Sequence, residues 1–301
     1  MRACLAVAAC LLLAPSALAE PAGWILTTDY STFGRVRSFD GAEPWAVSAD
    51  LATIPGDAVG RHHGGLVYIV GRGASNVLQV YDPAAGFSLV REFSLGAGLN
   101  PQDIAFDSAG EAYVSCYDQA VLLRVDVARE TVLGAYDTSA FADADGLPET
   151  AWCAAGGDRL YVACQKLDRA NWYEPTGPGA VLVFDMAAEA WVDMDPAAPG
   201  VQPIDLTGAN PYTRLVLDGS TLAVGCAGFF GLTDGGIERV DLLTGASLGY
   251  VLDEVDLGGD ILVMVPDGGD WLTLVSDAAF VTSVRRARAD GVDILDLGTG
   301  Y

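Results

Sequence analysis

The chain has 301 residues, with 40 Asp or Glu against 16 Lys or Arg and a formal net charge of −24. A field of that sign repels phosphate backbones and anionic lipid, which argues against nucleic acid as a partner. Although 51% of residues are hydrophobic, no stretch after the N-terminus approaches the ~20 uninterrupted apolar residues that spanning requires, so no transmembrane segment is expected.

Residues Met1–Ala19 read as a secretory signal peptide. Arg2 supplies the positive start, Cys4–Ala14 the apolar core, and Ala17-Leu18-Ala19 a small-x-small cleavage site before Glu20. A lipoprotein box at Val7–Cys10 fits less well, because the apolar run continues past Cys10 to Leu13. The expected location is therefore periplasmic, extracellular or on the cell surface, with residues 20–301 forming one domain.

From there one pattern returns six times: an apolar strand ending in a small or polar residue, a loop, and a second strand closing on or near Asp. The copies are Trp24–Asp40, Leu66–Asp82, Glu111–Asp126, Arg159–Asp185, Thr221–Asp241 and Trp271–Asp290. Successive copies lie about 43 to 62 residues apart, close to the ~40–45 residues that a four-stranded propeller blade occupies. The expectation is an all-β, single β-propeller of six four-stranded blades, with seven as the runner-up. Ile104–Phe106, Thr150–Ala154, Thr213–Leu217 and Ile261–Val265 read as innermost strands. Phe87–Leu95, Thr131–Tyr136 and Ser247–Leu252, more polar and alternating, read as outer ones. The first copy has no innermost strand ahead of it. Val292–Leu297 can supply that strand or the outer strand of the last blade, but not both.

In a propeller, the loops entering the innermost strands and those joining second to third strands open on one face. Around that channel mouth the sequence places ligand-binding candidates Arg72, Tyr117, Gln165, Asp168, Arg169, Asp234 and Glu238. Hard oxygen ligands from several blades, Asn100, Asp103, Asn210 and Asp260, form a candidate metal set suited to Ca²⁺. Asp29, Asp57, Gln102, Asp118 and Asp277 belong to the same loops, and Asp or Asn there can equally be turn or capping residues. Ca²⁺ is the one cofactor these residues suggest. A second oxygen-rich loop, Asp137 to Glu149 with Asp143, Asp145 and Gly146, resembles part of a calcium loop without the full EF-hand spacing.

Cys153 and Cys164 flank a predicted hairpin and can face each other if the register allows a disulfide; buried free thiols are the other reading. Cys116, Cys164 and Cys226 end equivalent strands, as would suit a soft metal. Thr28, Gly71 and Ser276 fill the same place in other blades, which points instead to a position that needs a small residue. His62 and His63 are the only histidines and match no nucleophile-elbow or metalloprotease pattern.

The segments NPQDIAFDSAGEAYVSCYD, DTSAFADADGLPE, LYVACQKLDR, GANPYTRLVL and DGGIERVDLLTGASLG resemble a group of uncharacterised secreted or surface bacterial propellers, similar in turn to the YVTN-type surface-layer repeats. The resemblance spans nearly the whole chain after the leader and implies a propeller on the cell exterior, with no established activity. The Tyr-Val-x-Asn turn of that type is replaced here by Ser115-Cys116, Ala163-Cys164 and Gly225-Cys226. At the level of fold alone, gluconolactonase-type propellers hold one channel-mouth metal with Glu, Asn and Asp, a set that Glu238, Asn100, Asn210 and Asp260 resemble. The leading reading is a non-catalytic exported module at or near the bacterial cell surface, binding a protein, glycan or cation on its channel-mouth face. The alternative is a divalent-metal-dependent hydrolase of lactonase type.

Overall fold

The apolar runs of the six copies become the second strands of six antiparallel sheets, stacked as the blades of a ring. The computed structural model describes residues 23–41, 45–288 and 291–295, so the leader segment Met1–Ala19 lies outside the described residues. Blade 2 is built from Ala58–His63, Leu66–Gly71, Val77–Asp82 and Ser88–Ser94, and blade 3 from Pro101–Phe106, Ala112–Cys116, Val121–Asp126 and Thr131–Asp137. Blade 4 uses Thr150–Gly156, Arg159–Cys164, Pro178–Asp185 and Ala190–Trp191, and adds Ile204–Ala209 against its third strand. Blade 5 comprises Val216–Asp218, Thr221–Cys226, Gly236–Asp241 and Ser247–Asp253; blade 6 comprises Asp260–Asp267, Asp270–Ser276, Thr282–Arg288 and Gly291–Ile294. The chain is thus a six-bladed β-propeller. Among the described residues blade 1 has three strands, Gly23–Thr28, Gly34–Phe39 and Ala52–Ile54. The ambiguous C-terminal segment is resolved at Gly291–Ile294, which pairs with Thr282–Arg288 as the outer strand of blade 6.

Each second strand is apolar on both faces because a blade lies between two neighbours. In Leu66–Gly71, Val67 and Ile69 join Val36 and Ile54 of blade 1, while Tyr68 and Val70 join Ile104, Ala112 and Val114 of blade 3. This is the two-residue period of a strand, with both faces buried. The same interleaving fills the seams between blades 3 and 4 (Tyr113, Leu122, Leu160, Phe184), 4 and 5 (Tyr161, Val181, Leu222, Val224), and 5 and 6 (Ala223, Ile237, Ile261, Met264). Each fully buried side chain of this kind is worth about 1.5–3 kcal/mol. Outer strands such as Ser88–Ser94 and Thr131–Asp137 are exposed or half-buried along their length, as their polar composition anticipated.

All four cysteines among the described residues are free and buried. The expected Cys153–Cys164 bridge is not formed: Cys153 pairs with Val162, and Cys164 with Thr150, because the register shifts between Thr150 and Cys153. Cys116, Cys164 and Cys226 each belong to a different inter-blade seam, which removes the shared soft-metal site. Burial pushes the Cys116 and Cys164 thiols up to about 12, so they pack as small apolar groups rather than thiolates. The equivalent position in blade 2 is equally tight: a Cβ on Gly71 would meet Pro55 Cγ at 2.8 Å and Ser75 Oγ at 2.6 Å.

Candidate functional site

The innermost strands of blades 3, 4 and 6 share one irregularity near their start, and the segment leading into that of blade 5 has its like. Pro101 pairs with Cys116 and Asp103 with Ser115, leaving Gln102 as an extra residue; Leu262 is extra between the Ile261–Val275 and Val263–Leu274 pairs. In blade 4, Ala151 and Trp152 stand opposite Ala163 alone. In blade 5, the N–H groups of Tyr212 and Thr213 both donate to the Gly225 carbonyl, at 2.9 and 3.2 Å. A β-bulge inserts one residue, bends the strand and re-aims a side chain. Here the bulged residues are those that turn to the channel: Gln102, Ala151, Trp152, Tyr212 and Leu262 all line a cavity of about 520 Å³ at the mouth.

The loops complete that cavity. Thr28 and Tyr30 come from blade 1, Asp57 and Arg72 from blade 2, Asn100 and Tyr117 from blade 3, and Gln165 and Tyr173 from blade 4, so all six blades contribute. Asn100 lies in the left-handed region (φ 47°), tolerable for Asn, and its carbonyl accepts the Tyr117 N–H at 3.1 Å. Its side-chain oxygen accepts from Gly73 N–H (2.7 Å) and Gln102 Nε2 (2.8 Å), tying blades 2 and 3 at the rim. Arg72 Nε donates to Asp57 Oδ1 at 2.9 Å, so the one cation among the described lining residues is already paired. What remains is a wall of Tyr30, Tyr117, Trp152, Tyr173 and Tyr212 interspersed with the amides of Asn100, Gln102 and Gln165.

Of the sequence candidates, Arg72, Tyr117, Gln165 and Asn100 thus meet at the mouth. Arg169 lies behind it, bonded to Glu149 and Asp118 (2.8 Å each) and to the Tyr117 carbonyl, with its guanidinium 4.9 Å from the Tyr117 ring centroid. It braces the wall. Asp168 accepts the N–H groups of Ala170 and Asn171, a local turn role shared by Asp29 and Asp277. Asp234 accepts the Phe229 N–H and lines a separate 290 Å³ hollow between the loops of blades 4 and 5.

The other metal candidates do not line the mouth, and most of their oxygens are hydrogen-bonded within the protein. Asp103 is fully buried and bidentate with Arg61, and it also accepts the Cys153 N–H at 2.9 Å. Glu238 sits in the third strand of blade 5, fully buried, accepting from the Thr207 and Gly208 N–H groups and the Ser247 hydroxyl. Both Asp260 oxygens face the Gly231 N–H, at 2.9 and 3.0 Å. Asn210 donates to the Gly228 carbonyl, and its Oδ1 has no partner among the described residues. In the calcium-like loop, oxygens of Asp143, Asp145 and Glu149 come within 4.8 Å of one another. There Asp143 also accepts from Thr176, Asp145 from the Leu147 N–H, and Glu149 from Arg169 and the Leu167 N–H.

The residues the sequence reading missed are aromatic: Tyr30, Trp152, Tyr173 and Tyr212. The available signal was their place in or beside the loops already assigned to the mouth.

No protein-family model matches the chain, and no curated protein matches its sequence. Solved structures do match its fold. A chain of the mitotic checkpoint complex aligns over 97% of this chain and 88% of its own, at 14% identity and TM-score 0.54. Chaetomium thermophilum Sqt1, solved bound to the N-terminus of the ribosomal protein L10, aligns over 89% and 70%, at 13% identity and TM-score 0.54. A 6-phosphogluconolactonase-like protein of Bacteroides fragilis aligns over 76% and 68%, at 15% identity and TM-score 0.50. At these identities the likeness extends to the propeller fold alone.

Proposed function

We propose that the protein is a non-catalytic binding module whose channel mouth takes a neutral, hydroxyl-rich partner, a sugar unit of a glycan. The observation that carries the reading is the bulged start of the innermost strands, which turns Gln102, Trp152 and Tyr212 into the same cavity as Tyr30, Tyr117 and Tyr173. About 520 Å³ falls within the range of small-ligand sites, roughly 300–1,000 Å³. Flat aromatic rings present apolar faces with a polar edge, and primary amides offer both donors and acceptors for hydroxyls. With Arg72 paired to Asp57, the lining offers no unpaired charge to favour an ionic partner.

The chain's setting is part of the proposal. The leader-like Met1–Ala19 and the resemblance to YVTN-type repeats support an exported protein at or near a bacterial cell surface. Among the described residues no helix is long and apolar enough to cross a membrane. No observation favours the lactonase alternative, since Asp260 and Glu238 are committed to backbone N–H groups.

Titration with neutral oligosaccharides, followed by tryptophan fluorescence and calorimetry, tests the reading. Saturable binding that weakens at least tenfold in Tyr173→Ala, an exposed residue whose loss leaves the ring intact, is the expected result. Failure of every neutral oligosaccharide to bind at millimolar concentration would remove the glycan. The mouth would then be tested against peptide termini, as the Sqt1 complex suggests.

A further inference from the structure

Below the mouth, the channel carries a cationic site of its own. Arg214 of blade 5 reaches across the ring, and its Nη2 donates to the Gly60 carbonyl of blade 2 at 3.1 Å. In a six-membered ring these blades are opposite, so the side chain spans the channel. Arg61, on the innermost strand of blade 2, lies beside it. The two guanidinium carbons stand 5.4 and 5.8 Å from the Trp152 ring centroid, so Trp152 forms a shared wall. Both arginines line a cavity of about 440 Å³ with Trp24, Leu26, His62 and Val67; the His62 and Trp24 rings stack at 5.5 Å. Ala58 and Val59 line both this cavity and the mouth, placing the two in succession along the channel.

The charges do not balance there. Asp103 takes Arg61 in a bidentate pair, whereas Arg214 has no carboxylate within ion-pair distance among the described residues. In a chain with 40 acidic and 16 basic side chains, most arginines find a carboxylate: Arg35, Arg72, Arg124, Arg169 and Arg288 all do. Arg214 uses one described N–H bond of the five it can donate. Desolvation within the channel, and then the neighbouring Arg61, hold its pKa below the ordinary guanidinium value against the pull of Asp103, although the side chain keeps access to solvent.

We propose that the channel cavity binds a small organic carboxylate, held by the planar fork of Arg214 and flanked by the rings of Trp24 and His62. A guanidinium matches a carboxylate through two parallel N–H···O bonds. The flat aromatic walls suit an unsaturated or aromatic body behind it. A single negative charge is favoured over phosphate because the surrounding net charge of −24 opposes a dianion more strongly. The inference does not depend on the glycan reading: it rests on Arg214, Arg61, Trp24 and His62, none of which lines the mouth, and on another ligand class.

Calorimetric titration of the intact protein with sodium benzoate, and in parallel with inorganic phosphate, is the test. Saturable benzoate binding is expected, weakened at least about tenfold in Arg214→Gln, the order of a lost charge-assisted hydrogen bond. Arg214→Lys, which keeps the charge without the fork, is expected to lie between the two. Arg91→Gln, on the outer strand of blade 2, is expected to bind as the unaltered protein does. Melting curves of each variant establish that the ring is folded, and the lysine variant serves if the glutamine variant is not. Equal benzoate affinity in unaltered and Arg214-substituted protein, absence of saturation, or tighter phosphate than benzoate binding would each overturn the proposal.

Discussion

Glu254 opens the helical turn Glu254–Leu257 fully buried, with Oε1 accepting the Ile261 N–H and Oε2 the Gly235 N–H, both at 2.9 Å. Burial is the largest influence and raises its pKa to about 7, against the pull of those two N–H groups; the nearby Asp260 and Asp234 charges add to the rise. A carboxyl whose folded pKa exceeds its unfolded 4.5 binds its proton more tightly when folded. Its contribution to stability is therefore complete below pH 4.5 and is lost as pH rises towards 7. Glu149, also raised to about 7 by burial, acts in the same direction. Melting temperature is thus expected to fall between pH 5 and pH 7.5, less steeply in Glu254→Gln; an unchanged slope in that variant would refute the assignment. Asp29, Asp126 and Asp241, lowered by turn N–H groups, act only at more acidic pH. These carboxylates also explain what the sequence left open. Asp168 capping its own turn and Asp103 pairing with Arg61, 42 residues away, look alike as letters beside a strand. Only the partner distinguishes them, and for Asp103 the partner is on another blade.

At the scale of the strand, the two-residue period located most of the second and third strands and three of the four expected innermost ones. Thr213–Leu217 is a strand only at Val216–Asp218, and Ala58–His63 and Ile204–Ala209 were not expected. The expected Ile104–Phe106 is found within Pro101–Phe106, Thr150–Ala154 within Thr150–Gly156, and Ser247–Leu252 within Ser247–Asp253. The bulges were not legible, because one extra residue barely alters the composition of a strand while reversing which side chains face the channel. That is why Trp152 read as one residue of an apolar strand rather than as a wall of the mouth, and why Cys153 and Cys164 do not meet. Asp103, just after the blade 3 bulge, shows what such a strand does mechanically. Its oxygens hold Arg61 of blade 2 and the Cys153 N–H of blade 4, so one buried side chain joins three blades. Asp103→Ala leaves a guanidinium and an N–H without their acceptor, and a loss of about 3–5 kcal/mol is expected from denaturant unfolding. A loss under about 1 kcal/mol, the scale of an ordinary substitution, would show that the blades are held by their apolar seams alone.

Among the described residues the seams between blades are unevenly packed. Buried apolar clusters fill the five seams from blade 1 through blade 6, but among the described residues none joins blade 6 back to blade 1. Strand alternation places Ile25 of blade 1 on that side, opposite Trp24 and Leu26, which pack towards blade 2. It does the same for Val263 and Val265 of blade 6, opposite Met264, which packs towards blade 5. These three are 40%, 44% and 50% exposed, whereas Tyr68 of blade 2 and Ala105 of blade 3, at matching places in other seams, are buried. Among the described residues Gly23–Thr28 also occupies a second-strand position without the inner partner that Leu66–Gly71, Ala112–Cys116 and Arg159–Cys164 all have. Of the two places the sequence offered for its C-terminal segment, Gly291–Ile294 takes the outer one in blade 6. Local opening follows low burial and unpaired backbone, so this seam is where the ring should yield first. Native-state hydrogen exchange is expected to show Gly23–Thr28 exchanging faster than the second strands of blades 2 to 5, with Asp260–Asp267 the fastest of the four-stranded blades' innermost strands. Equal protection of Gly23–Thr28 and Leu66–Gly71 would mean instead that the first blade is as firmly seated as the second, and that the ring opens as a single cooperative unit.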